Sequence, residues 1–186
     1  MLSALEIFDS LFTELINENA GYSRYADVLA VFCATTLLYI VVVFVSAYWI
    51  SRTDQKLNRF KAASCGLASL LALSTSVLIS GIFERARPYD AKVTKLLVSA
   101  STDPSFPSDH ASITFAIALT LFALKDRYRW LALIAATAIG LARVFVGIHY
   151  VGDILGGIVV AALATSIIQV AYRPTSHINN ILLRFP

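Results

Sequence analysis

The sequence predicts an all-α fold: a polytopic membrane helix bundle of about five transmembrane helices, preceded by an amphipathic helix lying at the membrane interface. Three observations carry this. Only 15% of the 186 residues are charged, against roughly 25% in a soluble domain. Mean hydropathy is +0.72. The apolar residues are also gathered into runs close to the ~20 residues a helix needs to cross the hydrocarbon core. The chain is read as a single membrane-embedded domain, residues 1–186.

Residues 3–18 come first. Leu5, Phe8, Leu11, Phe12 and Leu15 recur at helical spacing, and Glu6, Asp9, Glu14 and Glu18 interrupt them. That is the pattern of a helix lying in the interface rather than crossing it. Met1 to Glu6 lack the basic segment of a cleaved signal peptide. The spans follow at 28–50, 62–83, 108–124, 130–148 and 151–172. The second carries Gly66, Ala68, Ser69, Ser74, Thr75 and Ser76, small residues that let helices approach closely in lipid. The third is short, and the fifth opens on Gly152, Gly156 and Gly157. Tyr48, Trp49, Tyr128, Trp130 and Tyr172 stand at span ends, as interfacial aromatic residues do. Cys33 and Cys65 fall near opposite membrane faces, so no disulfide is expected between them; both read as small packed hydrophobes.

Charge sets the orientation. Arg52, Lys56, Arg59 and Lys61 share one side with Lys125, Arg127 and Arg129 and with Arg173 and Arg184 of the tail. By the positive-inside rule that side is the cytoplasm. The acidic first helix and the 84–107 loop then lie outside. That loop holds Arg85, Arg87, Lys92 and Lys95 against the rule, and binding an anionic substrate is a reason to keep cations there. No basic run interleaved with aromatics suggests nucleic acid, and nothing in the sequence fixes an oligomeric state.

Three polar islands reach that outer face: Arg87-Pro88, Pro107-Ser108-Asp109-His110, and the stretch from Arg143 to Asp153. Ionisable groups beside hydrocarbon are costly and point to function. Pro107 and Ser108 before an apolar run mark a helix N-terminus, whose unpaired N–H groups suit phosphate; Ser108 adds a hydroxyl. His110, in the first turn, can pass a proton to a leaving oxygen. Asp153 lies four residues after His149, on the same helix face, where its carboxylate can fix the imidazole tautomer and leave the other nitrogen to attack phosphorus. Arg143 and Arg87 offer planar forks for phosphate oxygens. Taken singly, Ser108 and Asp109 read equally as a helix cap, Arg87 as a snorkelling arginine and His149–Asp153 as a structural pair. Their meeting on one face favours chemistry.

On these residues the chain resembles the type 2 phosphatidic acid phosphatase superfamily of membrane lipid phosphatases, with its motifs Lys-x6-Arg-Pro, Pro-Ser-Gly-His and Ser-Arg-x5-His-x3-Asp. Arg87-Pro88 matches the end of the first, Pro107, Ser108 and His110 the second, and Arg143, His149 and Asp153 the third. The first-motif lysine position is Ser80, with Lys92, Lys95 and Arg85 as nearby replacements; the second-motif glycine is Asp109; Ala142 stands before Arg143. The run from Ser105 to His110, with Leu5-Glu6-Ile7-Phe8 and the small size, is similar to the undecaprenyl pyrophosphate phosphatase branch linked to bacitracin resistance. The resemblance implies His149 as nucleophile through a phosphohistidine, Asp153 as its orienter and His110 as acid and then base. It implies Arg87, Ser108, Arg143 and Asp109 around the phosphate, with Pro88, Lys92 and Lys95 as further substrate contacts and no metal or other cofactor. The implied activity is dephosphorylation of undecaprenyl pyrophosphate on the outer face, recycling the carrier of cell-wall synthesis. The alternatives are another lipid phosphate (phosphatidic acid, phosphatidylglycerol phosphate or lipid A) and a transporter or permease.

Overall fold

Helix α5 (Asp109–Ala123) forms the axis of the computed structural model, which describes residues 4–173. Ser3 at the start of the expected first helix, and Arg184 in the basic tail, lie outside the described residues. Every regular element among those described is a helix: α1 (Ala4–Asn17), α2 (Arg24–Thr35), α3 (Leu37–Ile50), α4 (Gln55–Phe83), then α5, α6 (Arg129–Phe145) and α7 (Val151–Ala171). Helices α4, α6 and α7 pack around α5, and α2 and α3 close the bundle on the outside of α6 and α4. Helix α5 is about 22 Å long at 1.5 Å per residue, short of a hydrocarbon core of roughly 30 Å. Its neighbours cover it: Ala111, Phe115, Ala116, Ala118 and Leu121 are buried. Alanines dominate the contact, with Ala68 and Ala72 of α4, Ala136 of α6 and Ala161 and Ala164 of α7 in one cluster with Ala111, Phe115, Ala116 and Ala118, the small-residue packing that lipid-embedded helices use.

The outer surface is the reverse of a soluble protein's. Leu29, Leu70, Leu78, Ile134, Leu163 and Ile167 each expose more than half of their surface. Helices α4 and α7 are long and apolar enough to cross a membrane, and α2 with α3 makes a third span if the bent pair counts as one.

The helix bounds depart from expectation for local reasons. The first span is bent by 46° at Thr36. There Thr35 Oγ1 donates back to Val31 O at 2.7 Å, a side-chain bond that competes with the helix ladder and bends it. Helix α4 starts at Gln55 rather than 62; hydropathy marks only the part in lipid, and Lys56, Leu57 and Arg59 are good helix formers outside it. Helix α6 stops at Phe145 rather than 148 because Gly147 turns left-handed, φ 84°. A Cβ there would lie 2.2 Å from Lys95 O, so only glycine fits.

At the end of the bundle where α5 terminates, Asp126 ties three segments together. Its carboxylate accepts from Lys61 Nζ at 2.7 Å, Tyr48 Oη at 2.8 Å and Tyr128 N at 2.8 Å. Lys61 is therefore an internal partner as well as a topological charge. Removing one member of a buried pair strands the other. Asp126→Ala is expected to lower stability by about 3 kcal/mol, read as a fall in the thermal midpoint in detergent. Burial opposes the charge of Asp126, but the Lys61, Tyr128 and Tyr48 hydrogen bonds outweigh it and hold the carboxyl below its ordinary value. The stabilisation is thus present above pH ~4 and is lost as pH falls through the folded value. A midpoint unchanged in the variant would sink this assignment.

Candidate active site

His149 sits in the five-residue turn between α6 and α7, where the left-handed Gly147 redirects the chain. That turn delivers the imidazole under two guanidinium groups. Arg143, in the last turn of α6, places Nη2 3.2 Å from His149 Nε2 and donates from Nη1 to Ala34 O at 3.3 Å. Ala34 lies in the last turn of α2, where carbonyls lack intrahelical partners. The bend at Thr36 thus helps hold Arg143. Arg87, after α4, places Nη1 3.5 Å from the same Nε2. It is locked by donation to Ile148 O at 3.0 Å, to Asp103 O at 2.8 Å through Nε, and to Pro104 O at 3.4 Å.

The other imidazole nitrogen meets acceptors. His149 Nδ1 is 3.0 Å from Ser105 O and 3.3 Å from Asp153 Oδ2. Nδ1 therefore carries the hydrogen, and the lone pair is on Nε2, facing the guanidinium groups. Asp153 is fully buried and fully used. Oδ2 also accepts from Ser105 Oγ at 2.5 Å and Tyr150 N at 2.8 Å, and Oδ1 from Arg85 Nη1 at 2.7 Å.

Helix α5 brings its N-terminus to this cluster, held by the bond from Ser108 N to Asp153 O at 3.0 Å. Ser108 makes no side-chain cap bond. Ser108 Oγ and Arg143 Nε are buried with no hydrogen-bond partner among the described residues. Buried donors are rarely left so; Arg143 Nε belongs to the guanidinium beside Nε2, and Ser108 is tied by its amide to Asp153. His110 is half-buried, within electrostatic reach of Arg143, His149 and Arg87, and Asp109 is within such reach of Arg143. Among the described residues no group of three or more His, Cys, Asp or Glu is gathered as a metal ion would need.

The structure thus brings together Arg87, Ser108, Asp109, His110, Arg143, His149 and Asp153. It does not join the lysines to them: Lys95 Nζ lies over the Tyr22 ring at 4.7 Å, and Lys92 is an exposed left-handed turn residue. Pro88 is buried and shapes the turn in which its carbonyl accepts from Val93 N at 2.9 Å. Arg85 does not stand in for the missing lysine at Ser80, because its guanidinium is spent on Asp153 and, at 2.6 Å, on Asp9. Two contributors went unforeseen, Ser105 and the polar stripe of α1, and Arg85 serves the acids rather than the phosphate. Asp9, Thr13 and Asn17, spaced four apart, face inward. Asp9 Oδ1 accepts from Gly152 N at 2.7 Å and Thr13 Oγ1 from Val151 N at 3.0 Å, while Asn17 Nδ2 donates to Lys95 O and Phe145 O at 2.9 and 2.7 Å. The i, i+4, i+8 spacing of those polar residues was the available signal.

Burial pushes the His149 imidazole down to about 4; the Asp153 hydrogen bond and charge oppose this, and Arg143 and Arg87 add to it. At neutral pH the ring is uncharged with Nε2 free, the form that can attack an electrophile.

The family description "PAP2 superfamily" matches residues 61–175. The chain is 28% identical over 135 residues to the bacitracin transport permease protein BcrC of Bacillus licheniformis, covering 72% of this chain and 65% of that one, just under two thirds of its length. It is also 28% identical over 142 residues to the undecaprenyl-diphosphatase BcrC of Bacillus subtilis (strain 168), covering 76% of this chain and 72% of that one. The fold is shared with the crystal structure of Aquifex aeolicus LpxE at a TM-score of 0.66 and 23% identity, covering 86% of this chain and 93% of that one.

The site geometry makes a prediction. In ¹⁵N spectra of histidine-labelled protein, His149 is expected as the neutral Nδ1–H tautomer at pH 6, protonating near pH 4. The unfolded chain takes that proton near pH ~6.5, so the folded protein loses stability from this group as pH falls from there towards 4. Titration of His149 near pH ~6.5 would contradict the geometry.

Proposed function

The chain belongs to the PAP2 superfamily of membrane lipid phosphatases, and on that premise we propose that it converts undecaprenyl pyrophosphate to undecaprenyl phosphate through a phosphohistidine on His149. The observation that carries the reading is Nε2 itself: a lone pair lying beside two buried guanidinium groups, where Arg143 Nε, like the buried Ser108 hydroxyl at the start of α5, has no partner among the described residues. An anion with several oxygens satisfies both guanidinium groups and the Ser108 hydroxyl at once. The substrate follows the name of the Bacillus subtilis relative.

The chemistry proceeds in two halves. Nε2 of His149 attacks the terminal phosphorus, and the P–O bond to the lipid monophosphate breaks as His110 delivers a proton to that oxygen. Water then gives a proton to His110 and its oxygen to phosphorus; the P–N bond breaks, releasing inorganic phosphate and neutral His149. Asp153 keeps Nδ1–H in place and stabilises the positive ring while phosphorus is attached. Arg87, Arg143, Ser108 and the first amides of α5 hold the phosphoryl oxygens, a preorganised electrostatic contribution of the kind that dominates many enzymes. Asp109, within electrostatic reach of Arg143, favours its charge. The guanidinium groups supply the charge neutralisation, so no metal is invoked.

The setting is a single domain of five spans in a bacterial cytoplasmic membrane, with the bend at Thr36 inside the first span and the site outside, opposite the basic loops. An apolar cleft of about 220 Å³ between α3, α5 and α6, lined by Leu37, Ile40, Val41, Phe44, Leu131 and Ala135, begins next to the bend that holds Arg143 and offers the isoprenoid tail a path.

The test is phosphate release by purified protein from undecaprenyl pyrophosphate, phosphatidic acid, phosphatidylglycerol phosphate and lipid A in parallel, with acid-labile phosphoenzyme trapped in the same runs. The polyprenyl substrate is expected to turn over fastest, with EDTA without effect. Fast release from phosphatidylglycerol phosphate and none from the polyprenyl lipid would move the substrate assignment. His149→Ala is expected to remove the phosphoenzyme and cut kcat by ~10⁴-fold or more; release that persists in that variant would end the nucleophile assignment. His110→Ala is expected to slow kcat by ~10²–10⁴-fold with little change in binding.

A further inference from the structure

The apolar face of α1 looks outward, with Leu5, Phe8, Leu11, Phe12 and Leu15 all exposed; its inward face carries charge into the site. Asp9 is the innermost acid of that helix. One of its oxygens takes the Gly152 amide, in the first turn of α7; the other takes Arg85 Nη2 at 2.6 Å. Arg85 in turn gives Nη1 to Asp153 Oδ1 at 2.7 Å and lies over the Tyr150 ring with its central carbon 3.9 Å from the centroid. The chain of contacts therefore runs Asp9, Arg85, Asp153, His149.

Resting on the function proposed above, we infer that Asp9 is a positioning residue for the reaction: by sharing Arg85 with Asp153 it keeps the charge behind His149 negative. Arg85 alone against Asp153 sums to zero. With Asp9 the trio sums to minus one, and it lies at the positive N-terminal end of α7. That negative charge matters when the P–N bond forms, because the ring becomes cationic while Nδ1 keeps its proton. The groups facing His149 are Arg87 from the 84–108 segment, Arg143 from α6, Asp153 from α7 and, in electrostatic reach, His110 from α5. Arg85 and Asp9 stand behind Asp153. Two fixed cations thus press on the ring from the front, and Asp153, backed by Asp9, answers them.

Gly152 provides an independent handle. A Cβ there would lie 2.6 Å from Asp9 Oδ2, so Gly152→Ala displaces the Asp9 carboxylate without altering any charge. Asp9→Asn removes the charge but keeps an oxygen for the Gly152 amide. Thr13→Val removes the neighbouring bond from Val151 N and leaves the charges alone.

The experiment measures kcat, KM and the pH profile of kcat/KM for the full chain in lipid nanodiscs, on whichever lipid the wild-type protein hydrolyses fastest. Asp9→Asn is expected to lower kcat by about ten- to a hundredfold with KM nearly constant, and to move the acid limb to lower pH because His149 becomes less basic. Gly152→Ala is expected to act in the same direction, and the double variant to lose no more than the worse single one. Thr13→Val is expected to leave the acid limb in place. Wild-type kcat and an unmoved limb in Asp9→Asn, additive losses in the double variant, or an equal limb shift in Thr13→Val would each overturn the inference. If Asp9→Asn does not fold, Gly152→Ala decides it. Trapping the phosphoenzyme in the wild-type protein separates the two proposals. No phosphohistidine sinks the functional reading itself; phosphohistidine with an unaffected Asp9→Asn sinks the role of Asp9 alone.

Discussion

The carboxylate of Asp153 is the interaction on which the site depends. It is fully buried and takes donors from four directions: the His149 ring, the Ser105 hydroxyl, the Tyr150 amide and the Arg85 guanidinium. The ring and the Tyr150 amide come from the turn after α6 and the hydroxyl from the loop before α5, so one side chain ties both stretches to the start of α7. An unpaired buried carboxylate would be prohibitive, and this one is tolerable because every lone-pair direction is filled. The α5 N-terminus belongs to the same assembly, since Ser108 N donates to the Asp153 carbonyl.

Two cations, Arg87 and Arg143, are buried in front of that carboxylate, yet neither makes a salt bridge among the described residues. Both are held by carbonyl oxygens: Ala34 for one, Asp103, Pro104 and Ile148 for the other. Carbonyls orient a guanidinium without cancelling its charge. The field at Nε2 therefore stays positive, which adds to burial in keeping the imidazole neutral and its lone pair available, and which an incoming phosphoryl group neutralises. Had either arginine been paired with an acid, the pocket would have been more stable and less attractive to an anion. The bend at Thr36 belongs to this economy, because a helix running straight through residue 36 would have kept the Ala34 carbonyl in its own ladder.

The sequence announced the helical class and the inner cluster, and the reasons are physical. Apolar runs between charged loops report on lipid exposure, and Arg143, His149 and Asp153 keep a short-range spacing that the turn between α6 and α7 converts into contact. What stayed hidden depends on distance along the chain. Arg85 meets Asp9 across 76 residues and Asp153 across 68, and no local pattern records which acid a loop arginine will choose. Ser105 was visible only as part of a motif-like run, since a serine hydroxyl and a carbonyl have no periodicity. Lys61 read as a topological charge because hydropathy treats cations as loop markers, whereas Asp126 had drawn it inward. The helix ends moved for the same kind of reason: a threonine back-bond and a left-handed glycine act over one turn, below the window in which an apolar run is recognised.

The first helix shows most clearly how composition can be legible and direction not. Its leucines and phenylalanines predicted an interfacial helix, and they do face outward. The natural corollary is that its acids face water, and Asp9 does not. Asp9, Thr13 and Asn17 form a polar stripe that points into the protein, where each caps or bridges backbone that would otherwise be bare: the first amides of α7, and the carbonyls of Lys95 and Phe145. A membrane reverses the usual rule for a surface helix. Here the apolar side is the solvent-facing side, so the polar side is free to serve the interior, and the helix contributes specificity where a soluble helix would contribute core. An element whose inward stripe is bonded to the amides of α7 and to the carbonyls of Lys95 and Phe145 is held at several points, which is what a carboxylate must be if it is to divide one guanidinium with the acid behind His149.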